Sequence, residues 1–338
     1  MKQLRKQNKS NLIIGFTIEI ILLIVCVFLS VAYGSKQIPF ADIFGYFTGR
    51  DIDAFKAAVI DARIPRTVFG ILAGAALGVS GALMQAITRN PIADPSILGV
   101  NTGASLMVVI GIAYLDISSG MKLIGLSFIG ALLSALFVYG IASVGYGGAS
   151  SIKLALAGAA VSTALGSLVN TIMLPDSNVM KAYRFWQVGS VGGASWEDVK
   201  LLTPFFAGGV LLALICSPGL NALLLGDEMA ISLGVKVGYL RFVTALAGVL
   251  LCASVTALAG PIGFVGLMMP HIIRLIYGGD MRIIVPMSAL GGAALLVLSD
   301  VIGRVLGSPG ELEVGIITAL LGAPVFIWIV YKTKARSI

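Results

Sequence analysis

The chain has 338 residues, of which 58% are hydrophobic and only 12% are charged, whereas soluble domains carry about 25% charged residues. One soluble core could not bury so much apolar surface, so the composition excludes an ordinary soluble protein and predicts an integral membrane protein. The chain has a single histidine and three cysteines without paired spacing, which argues against a disulfide framework, a metal site and a histidine-based catalytic site.

Apolar runs divide the chain into spans, because a helix needs about 20 apolar residues to cross the hydrocarbon layer. The uncharged stretch 242–273 is too long for one helix, and Gly260-Pro261-Ile262-Gly263 is its natural break. We therefore predict an all-α polytopic membrane protein, a single domain over residues 1–338, with about ten transmembrane helices. They lie near residues 11–33, 67–88, 95–115, 123–145, 152–174, 201–225, 242–260, 262–278, 283–303 and 312–331.

Basic residues flank the first and last spans and predict the orientation. Under the positive-inside rule both termini are cytoplasmic, which requires an even number of spans. Segments 34–66 and 175–200 are then outside, and loop 226–241 is inside. Topology explains these charges better than nucleic-acid binding does, so no nucleic-acid partner is expected. The residues are Lys2, Arg5, Lys6, Lys9, Lys332, Lys334 and Arg336.

A weak internal repeat links the two halves. Residues 66–83 can be laid on 241–258, and residues 126–131 resemble 287–292. In both pairs the two segments are five spans apart. Because five is an odd number, the two halves would have opposite orientations in the membrane. The pattern therefore predicts an inverted repeat of spans 2–5 and 7–10. Chance similarity between low-complexity membrane segments is the alternative.

The second span carries small residues at regular spacing. Gly70, Gly74 and Gly78 are four residues apart, a spacing that lets helix backbones approach closely in lipid. We predict that they form a packing face on a central second helix.

The scarcity of acids in the spans and the lack of a nucleotide-binding motif bear on how transport could be powered. Glu19 and Asp300 are the acids that could lie in lipid, yet Asp300 can pair with Arg304, and we assign neither a coupling role. Few ionisable residues in spans argue against an ion-coupled secondary transporter. The chain has no Gly-Lys dipeptide and hence no phosphate-binding loop, so it cannot hydrolyse ATP by that motif.

An ordered series of motifs runs through the chain from about residue 35. This series resembles the FecCD family, the permease subunits of ATP-binding-cassette (ABC) importers for ferric siderophores, haem and vitamin B12. The motifs are Arg63-Ile64-Pro65-Arg66, residues 89–95, 98–104, 226–228, 233–235 and 260–267, Pro270-His271 with Arg274, and residues 311–315 and 322–326.

The resemblance implies a function and a set of partners. It implies a multi-pass permease of the cell membrane that is not an enzyme and binds no cofactor, with ATP and Mg²⁺ on a separate cytoplasmic ATPase. It further implies an extracytoplasmic substrate-binding protein and a second permease, either an identical copy or a close paralogue. We expect a ferric siderophore as cargo, with haem or vitamin B12 as the alternative.

The loop after the sixth span predicts a short helix. Asp227 can cap it, Gly234 can end it in a left-handed conformation, and Met229 and Leu233 then share one apolar face. In the resembling family this loop is the coupling helix that fits a cleft of the ATPase; the alternative is an ordinary capped loop. The coupling residues so implied are Asp227, Glu228, Met229, Ala230, Leu233 and Gly234.

Two arginines lie just outside the second span, and the resemblance implies that they form a docking site. Arg63 and Arg66 are three residues apart, so a helical turn would present both guanidinium groups together to the outside. The resemblance implies that they receive acidic residues of the binding protein, with Arg304 as a third member. Interfacial anchoring is the alternative.

Two inner loops predict a cytoplasmic gate. Asn90, Pro91 and Ile92 close the second span, where proline prevents the helix from continuing, and Ser150 and Ser151 lie in the next inner loop. By resemblance these segments narrow the translocation path on the cytoplasmic side; simple helix-end loops are the alternative.

Overall fold

The computed structural model describes residues 9–117, 120–145 and 149–334, and this part of the chain is helical without a strand. A 3-10 turn at Pro95–Leu98 precedes α4. The helices are α1 (Lys9–Ala32), α2 (Phe40–Phe47), α3 (Ala54–Thr88), α4 (Val100–Tyr114), α5 (Met121–Ser143), α6 (Ser151–Met173), α7 (Ser177–Gln187), α8 (Trp196–Leu224), α9 (Asp227–Ser232), α10 (Val237–Ala259), α11 (Val265–Tyr277), α12 (Met281–Leu306) and α13 (Val314–Lys334).

Each of the ten predicted spans overlaps one of these helices. Seven helices are long and apolar enough to cross a membrane, namely α1, α3, α5, α6, α8, α10 and α12. The other three, α4, α11 and α13, are shorter apolar helices. The predicted outer segments hold α2 and α7, and the predicted inner loop 226–241 holds α9. The all-helical membrane fold is therefore confirmed.

The second span is longer than its apolar run. Helix α3 begins at Ala54 because the Asp53 carboxylate caps it, accepting the amide hydrogen of Phe55 at 3.1 Å. Its 35 residues extend over about 52 Å, beyond the roughly 30 Å of hydrocarbon. The extra turns carry Arg63 and Arg66.

Helix α3 is the centre of the bundle, as predicted. In the most apolar stretch of α3, 83% of the residues are buried, whereas only 11% are buried in the corresponding stretch of the peripheral helix α1. A Cβ atom on Gly74 would overlap the carbonyl of Gly292, and one on Gly78 would overlap the carbonyl of Ser288, both in α12. Gly70 is less tightly packed, since its Cβ would lie 3.4 Å from the side chain of Val297.

Contacts between loops place them at two ends of the bundle. At one, the α7 end, Ser190 donates its amide hydrogen to the Ala259 carbonyl at 2.7 Å, and Gly315 donates to the Gly189 carbonyl at 3.1 Å. At the other, the α9 end, the Asn221 amide nitrogen lies 2.6 Å from the Asp280 carboxylate. The loops thus alternate between ends, as ten crossings require. Four of the basic residues that set the predicted orientation lie outside the described residues, namely Lys2, Arg5, Lys6 and Arg336.

Helix pairings recur between the two halves. The α3–α12 contact corresponds to α10–α5, α3–α11 to α10–α4, α4–α5 to α11–α12, and α5–α6 to α12–α13. Helix α3 runs from the α7 end to the α9 end, whereas α10 runs the opposite way. This is the arrangement that an inverted repeat predicts.

Candidate functional site

Helix α9 presents an apolar surface at its own end of the bundle. The Gly234 residue ends the helix in the left-handed conformation, with φ of 82°, as predicted. Buried Ala230 holds the helix to the bundle, whereas Met229 is 53% and Leu233 61% exposed. The two exposed side chains share one face, also as predicted, and Ile231 adds a third exposed apolar group. So short a helix with an open apolar face is suited to docking on another surface.

The Asp227 carboxylate does not cap α9, contrary to expectation. Gly226 occupies the N-cap position, and Asp227 is the first residue of the helix. Its Oδ1 atom instead accepts hydrogen bonds from the guanidinium groups of Arg89 and Arg241, the latter at 3.0 Å. Two cations compete successfully for a carboxylate that a cap would share only with a neutral amide. The adjacent Glu228 is exposed.

Arg241 connects this ion pair to the bundle. Its guanidinium is only 8% exposed, and its second terminal nitrogen donates to the Ala149 carbonyl at 3.2 Å. Sequence reasoning singled out Arg241 only as the repeat equivalent of Arg66, and Arg89 only within a motif. The repeat was thus the available signal for Arg241, and the motif of residues 89–95 was the signal for Arg89.

The two predicted gate segments meet at the end of α3. The helix stops at Thr88, Arg89 adopts a left-handed conformation, and the Asn90 side chain accepts the amide hydrogen of Ile92 at 3.1 Å. The Ser151 hydroxyl donates to the Ile87 carbonyl at 3.4 Å. Ser150 caps α6, so both loops are ordered by local hydrogen bonds as well as by each other.

At the α7 end, Arg63 turns inward. It is 7% exposed, and its guanidinium donates to the carbonyls of Val31 at 2.7 Å and Lys36 at 2.6 Å. These groups lie at and just beyond the C-terminus of α1, where carbonyls lack helical donors. The expectation that Arg63 projects outward beside Arg66 is therefore wrong, because the end of α1 takes its hydrogen bonds.

Arg66 and Arg304 share the carboxylate of Asp300. Arg66 lies 2.7 Å from Asp300 and 2.8 Å from Glu311, and Arg304 lies 3.1 Å from Asp300. Arg304 is 2% exposed and also donates to the Ser30 carbonyl. The predicted pairing of Asp300 with Arg304 is thus confirmed, and this carboxylate is held by two arginines.

Three arginines surround one polar cavity. Arg63, Arg66 and Arg304 line a space of about 360 Å³ together with Lys36 and Glu311. The four cationic side chains face two carboxylates, Glu311 and the Asp300 that binds Arg66. This leaves a surplus of two positive charges around the cavity. The rim is accessible, because Lys36 is exposed and the Glu311 side chain is 39% exposed. Such a cavity can receive an anionic group from outside the chain.

Helix α6 differs from the helices that face lipid. Thr163, Ser167 and Thr171 are exposed along one face, and each hydroxyl donates to the carbonyl four residues earlier. The exposed face of α1 instead carries large apolar groups such as Ile18 and Phe28. Helix α6 thus exposes a row of small, hydroxyl-bearing residues beside large apolar groups such as Leu156 and Leu168. Among the described residues no cluster of three or more His, Cys, Asp or Glu could hold a metal ion.

Comparisons with known proteins agree with this geometry. The model of the FecCD transport family matches residues 22–332. The ferric enterobactin transport system permease protein FepD of Escherichia coli is 43% identical, covering 94% of this chain and 95% of FepD. The hemin transport system permease protein HmuU of Yersinia pestis is 34% identical, covering 96% of this chain and 97% of HmuU.

A solved structure shows the same fold. It is described as an inward-facing conformation of a metal-chelate type ABC transporter, and it matches with a TM-score of 0.81 and 27% identity over 96% of this chain and 100% of that one. The match covers the whole helical bundle rather than one half. This chain therefore belongs to the FecCD transport family, as the permease subunit of an ABC importer whose ATP hydrolysis lies in a partner subunit.

Proposed function

We propose that this chain moves ferric siderophore complexes across the cytoplasmic membrane, fed by an extracytoplasmic substrate-binding protein and powered by a separate ATPase. The observation that carries the proposal is its near full-length likeness to a ferric enterobactin permease, at 43% identity. Its likeness to a hemin permease is lower, at 34%. A siderophore complex arrives with its iron already chelated, so the path needs no metal ligands of its own.

Uptake by living cells tests the cargo. A bacterial host without its own siderophore and haem permeases would receive the chain together with its ATPase and binding protein. Iron should accumulate from ferric catecholate, hydroxamate or citrate complexes, while haem and cobalamin should not enter. Uptake of haem or cobalamin alone would contradict the proposal and favour the alternative cargo. A variant ATPase that cannot hydrolyse ATP is the control for passive entry.

The α9 end would face the cytoplasm, and both termini with it. Basic residues at the two ends of the chain support this orientation. In this orientation the exposed face of Met229, Ile231 and Leu233 would dock on the ATPase. The gate segments, residues 90–92 and 150–151, would lie at the cytoplasmic end of the path.

The path itself would run between two permease subunits. Helix α6 offers a face of hydroxyl-bearing residues that a lipid-facing span would not need. Two such faces, from identical copies or from close paralogues, would line a passive path for an oxygen-rich ligand. Specificity would then reside mainly in the binding protein. Small side chains leave the width that a bulky complex requires.

The cavity at the α7 end would receive an acidic side chain of the binding protein. Arg66 is its most adaptable member, because one of its two carboxylate partners, Glu311, is exposed and can be displaced. An incoming carboxylate would replace Glu311 on Nη1 of the guanidinium, while Asp300 keeps its hydrogen bonds from Nε and Nη2. Arg63 and Arg304 donate hydrogen bonds to backbone carbonyls near the end of α1. They would therefore keep the cavity open and contribute positive charge to it.

A further inference from the structure

The strongest connection between α9 and the gate segments is electrostatic. In the described part of the chain, the only side chain of α9 that forms hydrogen bonds or ion pairs with residues beyond the helix is Asp227. One of its partners, Arg89, immediately precedes the gate turn at Asn90. The other, Arg241, holds the carbonyl of Ala149, which immediately precedes Ser150.

We infer that Asp227 is the positioning residue that links movement of α9 to both gate segments at once. The inference rests on the proposed function, in which α9 docks on the ATPase and residues 90–92 and 150–151 form the gate. One carboxylate oxygen bridges two guanidinium groups, and each guanidinium belongs to a different gate segment or holds it. A displacement of α9 therefore acts on both segments together.

Exposure of the three side chains suits a link that breaks and forms again. The Asp227 side chain is 42% exposed and that of Arg89 is 35% exposed, whereas Arg241 is 8% exposed. Solvent weakens the Arg89 contact, because exposed ion pairs are screened. The Arg241 contact is the more permanent one, since its guanidinium is buried and held by a backbone carbonyl. We therefore expect Arg241 to remain with α9 while Arg89 exchanges partners.

The inverted repeat gives the arrangement a counterpart. Arg66 and Arg241 are equivalent positions of the predicted repeat, and each binds carboxylate at its own end of the bundle. At the α7 end the acids come from the α12 region, and at the α9 end from α9. Each half thus places a guanidinium in the first helix of its repeat, near the end of the bundle that meets a partner protein in the proposed function.

The test measures the ferric catecholate complex transported per ATP hydrolysed in proteoliposomes that contain the complete importer, with the binding protein outside. Asp227→Asn keeps the shape of the side chain and removes its charge, so the ratio should fall about tenfold. Arg241→Gln should lower the ratio comparably, and the double variant should be no worse than Asp227→Asn alone, because both changes remove one link. Asp280→Asn is the matched control: it removes a carboxylate at the same end of the bundle and leaves a good helix cap.

A second readout follows the gate directly. A cysteine introduced by Ile92→Cys is half exposed at its position and should react with a water-soluble thiol reagent at a rate that changes when nucleotide is added. With Asp227→Asn this nucleotide dependence should disappear. Native cysteines do not interfere, since Cys26, Cys216 and Cys252 are all buried.

The outcomes separate this inference from the proposed function. If the wild-type chain neither retains the ATPase nor transports ligand, the proposed function fails. If wild type transports, but Asp227→Asn and Arg241→Gln both keep the wild-type ratio and the nucleotide-dependent reaction, this inference alone is overturned. Should Asp227→Asn fail to assemble, Arg241→Gln decides, because its side chain is buried away from the docking face.

Discussion

Replacement of Gly78 by alanine tests the packing on which the bundle depends. The new methyl group would overlap the Ser288 carbonyl oxygen of α12, and a backbone atom cannot turn aside as a flexible side chain can. Overpacking of this kind costs typically 1–3 kcal/mol, and a backbone contact belongs at the upper end. Alanine recovers about 1 kcal/mol of helix propensity over glycine. The net expected loss is therefore about 2 kcal/mol.

The matched control is Gly70→Ala, eight residues earlier on the same face of α3. Its Cβ would lie 3.4 Å from the Val297 side chain, an ordinary van der Waals contact, so only the propensity gain of up to about 1 kcal/mol remains. The measurement is the apparent melting temperature of purified protein in detergent, at one fixed scan rate because unfolding can be irreversible. Gly78→Ala should melt several degrees below Gly70→Ala. Equal melting temperatures would refute the reasoning that α3 and α12 are in rigid backbone contact.

Three further predictions concern the two ends of the bundle. Leu233→Asp should abolish stimulation of the ATPase and transport while insertion stays normal, because the changed side chain is exposed; wild-type rates would contradict docking through α9. Cysteines near Ser35 and Asp176 should react with impermeant thiol reagents in intact cells and one in α9 should not, and the reverse pattern would contradict the orientation. In a binding assay with the binding protein, Arg66→Lys should weaken affinity, because lysine cannot hold Asp300 with two nitrogens and offer a third to the incoming carboxylate. Glu311→Gln should strengthen affinity several-fold by removing a competing carboxylate. No change in either variant would leave Arg66 as a structural residue.

Span positions could be predicted from the sequence because apolar length is a local property. The break at 260–263 and the short helix after it follow from charge-free length alone, and α11 lies where expected. The start of α3 could not be found in this way. Its first turns are too polar to be recognised as part of a span, and their helical state depends on the Asp53 cap and on packing against α1.

Side-chain partners could likewise be predicted where they are close in sequence and could not where they are distant. The pairing of Asp300 with Arg304 was predictable, since residues four apart on a helix are neighbours. The inward turn of Arg63 was not, because its acceptors at the end of α1 are about thirty residues away in sequence. Asp227 was expected to cap a helix by a local rule, but its guanidinium partners are Arg89, just after the end of α3, and Arg241 in the following helix α10.

The repeat suggests how these ion pairs would serve the proposed function. In the predicted inverted repeat, Arg66 and Arg241 occupy equivalent positions at opposite ends of the bundle. What distinguishes them is the acid that each one meets: Arg66 meets Asp300 and Glu311, which leave excess positive charge around a cavity, whereas Arg241 meets the single carboxylate of Asp227. The first arrangement can accept an anion from a partner. The second is already satisfied by α9 and can transmit the movement of that helix, so one inherited feature can serve docking at one end and coupling at the other.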